Sequence, residues 1–147
     1  MDLHVGFTGT REAVTPIQAT ILREQLYRLN FVKRRMVGHS GDCINADALF
    51  HGIAKEFGWY TIGHIPRVEA LRAYCVYDEE REPTNYQERN RQIVHASQAM
   101  IAVPNTMREK PNGGTWFTIR YARRLNKPLL IIWPDGTKTR EGGPLRG

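Results

Sequence analysis

The stretch KPNGGTWFTIRYARRLNKPLLIIWP, residues 110–134, decides the fold class. From Thr115 to Asn126 apolar side chains recur at helical intervals around Arg120, Arg123 and Arg124. Pro128 cannot continue a helix, and the run PLLIIWP, 128–134, is the short continuous apolar segment of a strand buried on both faces. A helix delivered directly into such a strand is half of a βαβ unit. The expectation is therefore an α/β chain with a mainly parallel sheet.

The same alternation extends towards the N-terminus. LHVGFTG, 3–9, reads as a first strand, and TPIQATILREQLYRLN, 15–30, as a helix with Thr15 as cap and Pro16 in its first turn. RRMVGHSG, 34–41, is a second strand, and residues 45–58 form a helix capped by Asn45 and stopped by Gly58. WYTIGHI, 59–65, is a third strand. Residues 66–88 are less regular, and the acidic DEERE at 78–82, followed by Pro83, reads as an exposed loop. A short helix at 89–97, a strand at 98–104 and a loop at 105–114 lead back to the opening stretch. One domain, 1–136, is expected, with the polar, glycine-rich 137–147 as a flexible tail.

Composition narrows the class. The 147 residues carry a net charge of +6 and a pI near 9.6, which points to an anionic partner, either nucleic acid or a phosphorylated small molecule. No apolar run approaches membrane-spanning length. The N-terminal MDLHVGFTG has no basic region and no signal-peptide core, so a cytoplasmic location is expected. Cys43 and Cys75 have no CxxC spacing, and the five histidines form no ligand motif, so no metal and no cofactor is expected.

In an open parallel sheet, ligands bind at the carboxyl ends of the strands. The polar motifs fall there: TGTR (8–11), GHSGDCINAD (38–47), GHIPR (63–67) and the loop from Pro104 to Thr115. Arg11 and Arg67 are phosphate-binding candidates, with His39 and His64 on the same edge. Gly41 permits close approach of backbone to ligand, and Asp42 and Asp47 are acceptors for sugar hydroxyls. Asp47 has a second reading, as support for the first turn of its helix. Gly113, Gly114 and Thr115 also have two readings: a turn followed by a capping threonine, or backbone N–H groups cradling a phosphate at a helix N-terminus. Alone the triplet does not choose between them. Beside the other loops on the same edge, it reads as a cradle.

In order along the chain, GFTGTR, GHSGDCINADALFHGIAKEFG, PTNYQERNRQIVHASQAMIAVP, PNGGTWFTIRYARRLNKPLLII and PDG resemble the SLOG superfamily. That group includes the DprA (Smf) DNA-processing proteins, the LOG phosphoribohydrolases and the YspA-like and YpsA-like proteins. The resemblance spans residues 3–135 and implies a Rossmann-like, three-layer α/β/α sandwich that binds nucleotides or nucleotide-derived ligands. It implies that Gly9, Thr10 and Arg11 line the first loop and Gly41, Asp42 and Asp47 the second. Arg89 and Asn90 would face the ligand, Tyr86 would stack on a base, and Gly113, Gly114 and Thr115 would hold phosphate. SLOG proteins are usually dimers or higher oligomers. LOG enzymes carry PGGxGTxxE, whereas this chain has PNGGTWFT, with Thr118 where the glutamate is expected.

The leading expectation is a binding protein for a nucleotide-derived signal, ADP-ribose-like or cyclic, acting as a sensor or sequestering protein, as in bacterial and phage conflict. N-glycoside hydrolysis of nucleoside monophosphates is the alternative, with Arg89, Asp42 and Asp47 as candidate catalytic groups. DprA-like DNA binding is third. The apolar residues Trp116, Phe117, Ile119, Tyr121 and Leu125 occupy more than one face of their helix, and the extra stripe is expected to meet another subunit. Arg120, Arg123 and Arg124 are expected to point to solvent or to that partner.

Overall fold

A computed structural model describes residues 1–143. Seven strands form one sheet: β1 (Asp2–Gly9), β2 (Arg35–Ser40), β3 (Tyr60–Pro66), β4 (Glu79–Thr84), β5 (Ala99–Val103), β6 (Leu129–Ile132) and β7 (Lys138–Glu141). Their order is β4-β3-β2-β1-β5-β6-β7, and every neighbouring pair is parallel except β6 with β7. Four helices cover the faces: α1 (Pro16–Leu29), α2 (Ala46–Glu56), α3 (Tyr86–Ala96) and α4 (Gly114–Arg124). The expected α/β/α sandwich is the architecture observed.

Strand periodicity sorts the core into two layers. Leu3, Val5 and Phe7 of β1, with Ile101, Val103, Leu130 and Ile132, pack with Leu22 and Leu26 of α1 and Phe50 and Ile53 of α2. The alternate residues Met100, Ala102, Leu129 and Ile131 face the other way, onto Ile93 and Val94 of α3 and Trp116 and Ile119 of α4. The second apolar stripe of α4 is partly covered within the chain, with Leu125 exposed. Phe117 and Tyr121 are half-buried, with Arg91 of α3 over the Phe117 ring and His95 of α3 within 2.6 Å of the Tyr121 hydroxyl.

Helix starts differ in how they are capped. Thr15 closes a reciprocal capping box with Gln18, each bond 3.1 Å. The buried Gln18 amide also donates to the carbonyls of Pro104 (2.8 Å) and Ile132 (3.0 Å), fixing α1 to the ends of β5 and β6. Asn45, expected as a side-chain cap, makes no cap bond; it holds φ +67 and turns its amide to the carbonyl of Arg11. The cap of α4 is Gly113 at φ +99, a conformation open to glycine, so Thr115 lies inside the first turn.

Two segments differ from the sequence reading. Acidic residues expected as a loop include β4, an edge strand on β3, and the expected flexible tail includes β7, paired antiparallel with β6 from Leu129↔Glu141 to Ile132↔Lys138. Both strands carry charged side chains on the outer edges of the sheet, where charge opposes further strand addition. Pro144 to Gly147 lie outside the described residues.

Candidate functional site

Strand order reverses around β1, which has β2 on one side and β5 on the other. The carboxyl ends of these strands enclose a cleft of about 410 Å³. Gly9, Arg11, Gly41, Asp47, Tyr86, Arg89, Asn90, Gly113, Gly114 and Thr115, all candidates from sequence, line it together. Thr10, His39, Asp42, His64, Arg67 and Pro104 do not line it.

Arg89 organises the floor. It is 5% exposed, donates from Nε to Asn90 Oδ1 at 2.8 Å and from Nη1 to the carbonyl of Gly41, and rests against Cys43 Sγ at 3.8 Å. A Cβ at residue 41 would lie 2.5 Å from Arg89 Nη1 and 2.7 Å from its Cζ, so only glycine leaves room for this arrangement. Tyr86, one turn earlier, carries Arg89 at 5.3 Å and Arg11 at 5.5 Å from its ring centre. Asn90 also lies beside the cradle, since a Cβ at Gly114 would be 3.5 Å from its Nδ2.

Asp47 is the carboxylate of the cleft. Its Oδ2 accepts from the backbone N–H of Cys43 at 3.1 Å. Burial raises its pKa to about 6, against the opposing pull of Arg89. Burial likewise raises the Cys43 thiol, with Asp47 adding to the effect. The balance among the lining residues is three guanidiniums (Arg11, Arg89, Arg120) and the positive end of α4 against one carboxylate. Such a cleft suits an anion that also carries a hydrogen-bond donor.

The remaining candidates are tied elsewhere. Asp42, fully buried at φ +58, accepts from Arg72 Nε (2.7 Å), Cys75 N (3.0 Å) and the Tyr77 hydroxyl (3.2 Å), and so clamps the segment after β3 onto the end of β2. His39 and His64 lie in a row with His4 across β1, β2 and β3: His4 Nδ1 is 2.8 Å from His39 Nε2, and His39 Nδ1 is 2.9 Å from His64 Nε2. Thr10 Oγ1 accepts from Glu12 N, Arg67 is exposed, and Pro104 receives Gln18.

Cys43, Asn112, Phe117 and Arg120 line the cleft without having been singled out for it from sequence. Cys43 and Phe117 lie inside quoted motifs, but neither residue type signals a ligand contact by itself. Arg120 and Arg123 are not free in solvent: Arg120 bonds Glu109 and loop carbonyls, and Arg123 bonds Glu109 and Glu141. Thr118, fully buried, donates to the Gly114 carbonyl at 2.8 Å and does not line the cleft. Among the described residues no group of three or more His, Cys, Asp or Glu side chains could hold a metal. No described helix is long and apolar enough to cross a membrane.

No family model and no curated protein matches the sequence. Solved structures do match the fold. A molybdenum cofactor binding protein from the phototrophic bacterium Rippkaea orientalis superposes with TM-score 0.71 at 18% identity, covering 90% of this chain and 77% of its own. The molybdenum cofactor carrier protein of Chlamydomonas reinhardtii gives TM-score 0.64 at 17% identity, covering 89% and 76%. DNA processing protein A (DprA) from Streptococcus pneumoniae gives TM-score 0.65 at 21% identity, over 88% of this chain but only 50% of the larger protein. The likeness to these structures is one of fold, and it agrees with the Rossmann-like α/β/α sandwich expected from the sequence.

Proposed function

We propose that the cleft binds a nucleotide or nucleotide-derived ligand. Its phosphate would rest on the N–H groups of Gly114 and Thr115 between Arg11 and Arg89, and a sugar hydroxyl would donate to Asp47. The observation that carries this reading is the convergence, in one cleft, of the α4 N-terminus with Arg11 and Arg89. Anionic oxygen suits both, and a volume of about 410 Å³ suits a small molecule. The Tyr86 ring lines the same cleft and is the surface on which a base can stack. Two of the structural neighbours are molybdenum cofactor proteins, which also accords with a small-molecule role.

Binding without turnover is favoured over N-glycoside hydrolysis. Cleavage through an oxocarbenium-like state commonly uses two carboxylates, and Asp47 stands alone among the described lining residues. A sensor or sequestering role follows from that preference. DNA binding is supported less, because Arg89 is buried in the floor of the cleft and Arg120 and Arg123 are bonded to Glu109 rather than open to a phosphate backbone.

Calorimetry with AMP, ADP-ribose and cyclic AMP, followed by chromatography of the recovered ligand, tests the proposal. Saturable binding with the ligand returned intact is expected. Release of free base would turn the reading into the hydrolase alternative. Binding only to single-stranded DNA, with affinity falling steeply as salt rises, would overturn it.

A further inference from the structure

Residues 105–112, between β5 and the cradle, belong to no helix or strand. Among the described residues, no backbone–backbone hydrogen bond ties this segment down. Side chains hold it instead. Near β5, Asn105 reaches Glu12 at 2.8 Å. Near the cradle the bonds come from α4 itself. Arg120 donates from Nη1 to the Lys110 carbonyl (2.9 Å) and Glu109 Oε2 (3.2 Å), and from Nη2 to the Pro111 carbonyl (2.9 Å). Arg123 takes the other Glu109 oxygen at 2.7 Å and is anchored in turn on Glu141 of β7.

The consequence lies in where the segment ends. It delivers Gly113, the cap of α4 at φ +99, whose position sets the direction of the Gly114 and Thr115 N–H groups. Arg120 lines the cleft, yet both of its terminal nitrogens are already directed at the loop rather than at the cleft centre. A planar guanidinium with a fixed fork of donors can bridge two successive carbonyls, and a lysine ammonium cannot reproduce that fork.

We propose that Arg120 is a positioning residue, a clasp that pre-orders the loop so that the anion cradle is formed before ligand arrives. The proposal rests on the phosphate-binding reading of the cleft for its effect on affinity, but the clasp itself is testable without ligand. Loss of the clasp transfers the ordering of the loop to the binding step, which weakens affinity without removing a ligand contact.

The test compares wild type, Arg120→Ala and Arg120→Lys in two measurements. In backbone relaxation measurements without ligand, Arg120→Ala is expected to lower the order parameters of the loop before α4, at 109–114, from about 0.85 towards roughly 0.6 while the sheet strands keep wild-type values, with Arg120→Lys nearer to Ala than to wild type. Unchanged order parameters at 109–114 would overturn the clasp, as would a uniform fall across the sheet. In titrations with AMP at several salt concentrations, Arg120→Ala is expected to bind roughly tenfold more weakly with the wild-type dependence on salt. A flatter salt dependence would instead make Arg120 a direct partner of the anion and overturn the positioning role. If wild type binds no phosphate probe, the phosphate reading of the cleft fails, and the relaxation measurement still decides whether Arg120 is a clasp.

Discussion

Arg89 Nη1 donates to the carbonyl of Gly41, and a methyl group at residue 41 would fall 2.5 Å from that same nitrogen. The two residues are 48 positions apart, yet the hydrogen bond and the missing side chain form one device that places a buried cation under the cleft. Gly41→Ala is therefore expected to displace the guanidinium while leaving the backbone in place, because the clash is with the end of a long side chain. Losing a charge-assisted contact is worth about 2 kcal/mol, or roughly thirtyfold in affinity. Calorimetry with AMP checks the loss, and a single cooperative melting transition shows that the variant still folds.

Acid should destabilise the fold through the histidine row. Burial holds His39 down to about 3 and His64 to about 4, so in the folded protein both stay neutral where the unfolded chain would take up protons. Their stabilising contribution is complete above the unfolded value of 6.5 and is lost progressively as pH falls. Asp47 opposes this, since its raised pKa makes the folded state take up a proton between about pH 6 and pH 4. His51, which burial also holds down, and Asp78, held down by Lys55, add to the histidine effect, so stability is expected to fall as pH drops through that window. Urea unfolding from pH 6 to pH 4 reads it, and a flat profile would contradict the account. The groups nearest the row are Arg81 of β4 and Arg89 and Gln92 of α3.

Asp42 should matter for stability more than for ligand. It carries an ion pair with Arg72, whose side chain is only 14% exposed, and it accepts from Cys75 N and the Tyr77 hydroxyl. Asp42→Ala strands all three donors and places alanine at φ +58, for a cost of about 3 kcal/mol or more. Asp42→Asn keeps the shape and tolerates the left-handed backbone, so a smaller loss is expected. Denaturant midpoints compare the two. Equal losses would mean that only the charge matters and would contradict a role for side-chain shape and the left-handed backbone.

Affinity should fall on the acid side of neutrality. Asp47, with a pKa of about 6, is mostly ionised at pH 7 and can accept a hydrogen bond from a hydroxyl there. Protonation below about pH 6 removes that acceptor, so cyclic AMP, whose phosphodiester keeps a single charge across the range, should bind more weakly at pH 5 than at pH 7.5, and Asp47→Asn should flatten the dependence. A pH-independent affinity in wild type would exclude Asp47 from ligand contact.

The sandwich was legible because helices and buried strands announce themselves by period, as in residues 115–132. The edge strands were not. EEREPT of β4 and KTRE of β7 have no apolar pattern, and they are strands because β3 and β6 offer free edges. The cleft was legible where a motif names a backbone requirement, as at Gly41 and Gly113. Asp42 and Asp47 are indistinguishable by spacing, and the positive φ at Asp42 helps turn one carboxylate onto Arg72 while the other meets the cleft. The histidine row needs the register of three strands, since His4, His39 and His64 are 35 and 25 residues apart. Arg120 looked like a solvent residue because its partners lie in a loop without pattern.

The central claim is that phosphate meets the N-terminus of α4. Backbone amide chemical shifts during titration with AMP test it directly. The account predicts that Gly114 and Thr115 move most, with the Arg89 side-chain signal following at the same dissociation constant. Saturable binding that leaves Gly114 and Thr115 unmoved and shifts amides elsewhere would contradict it.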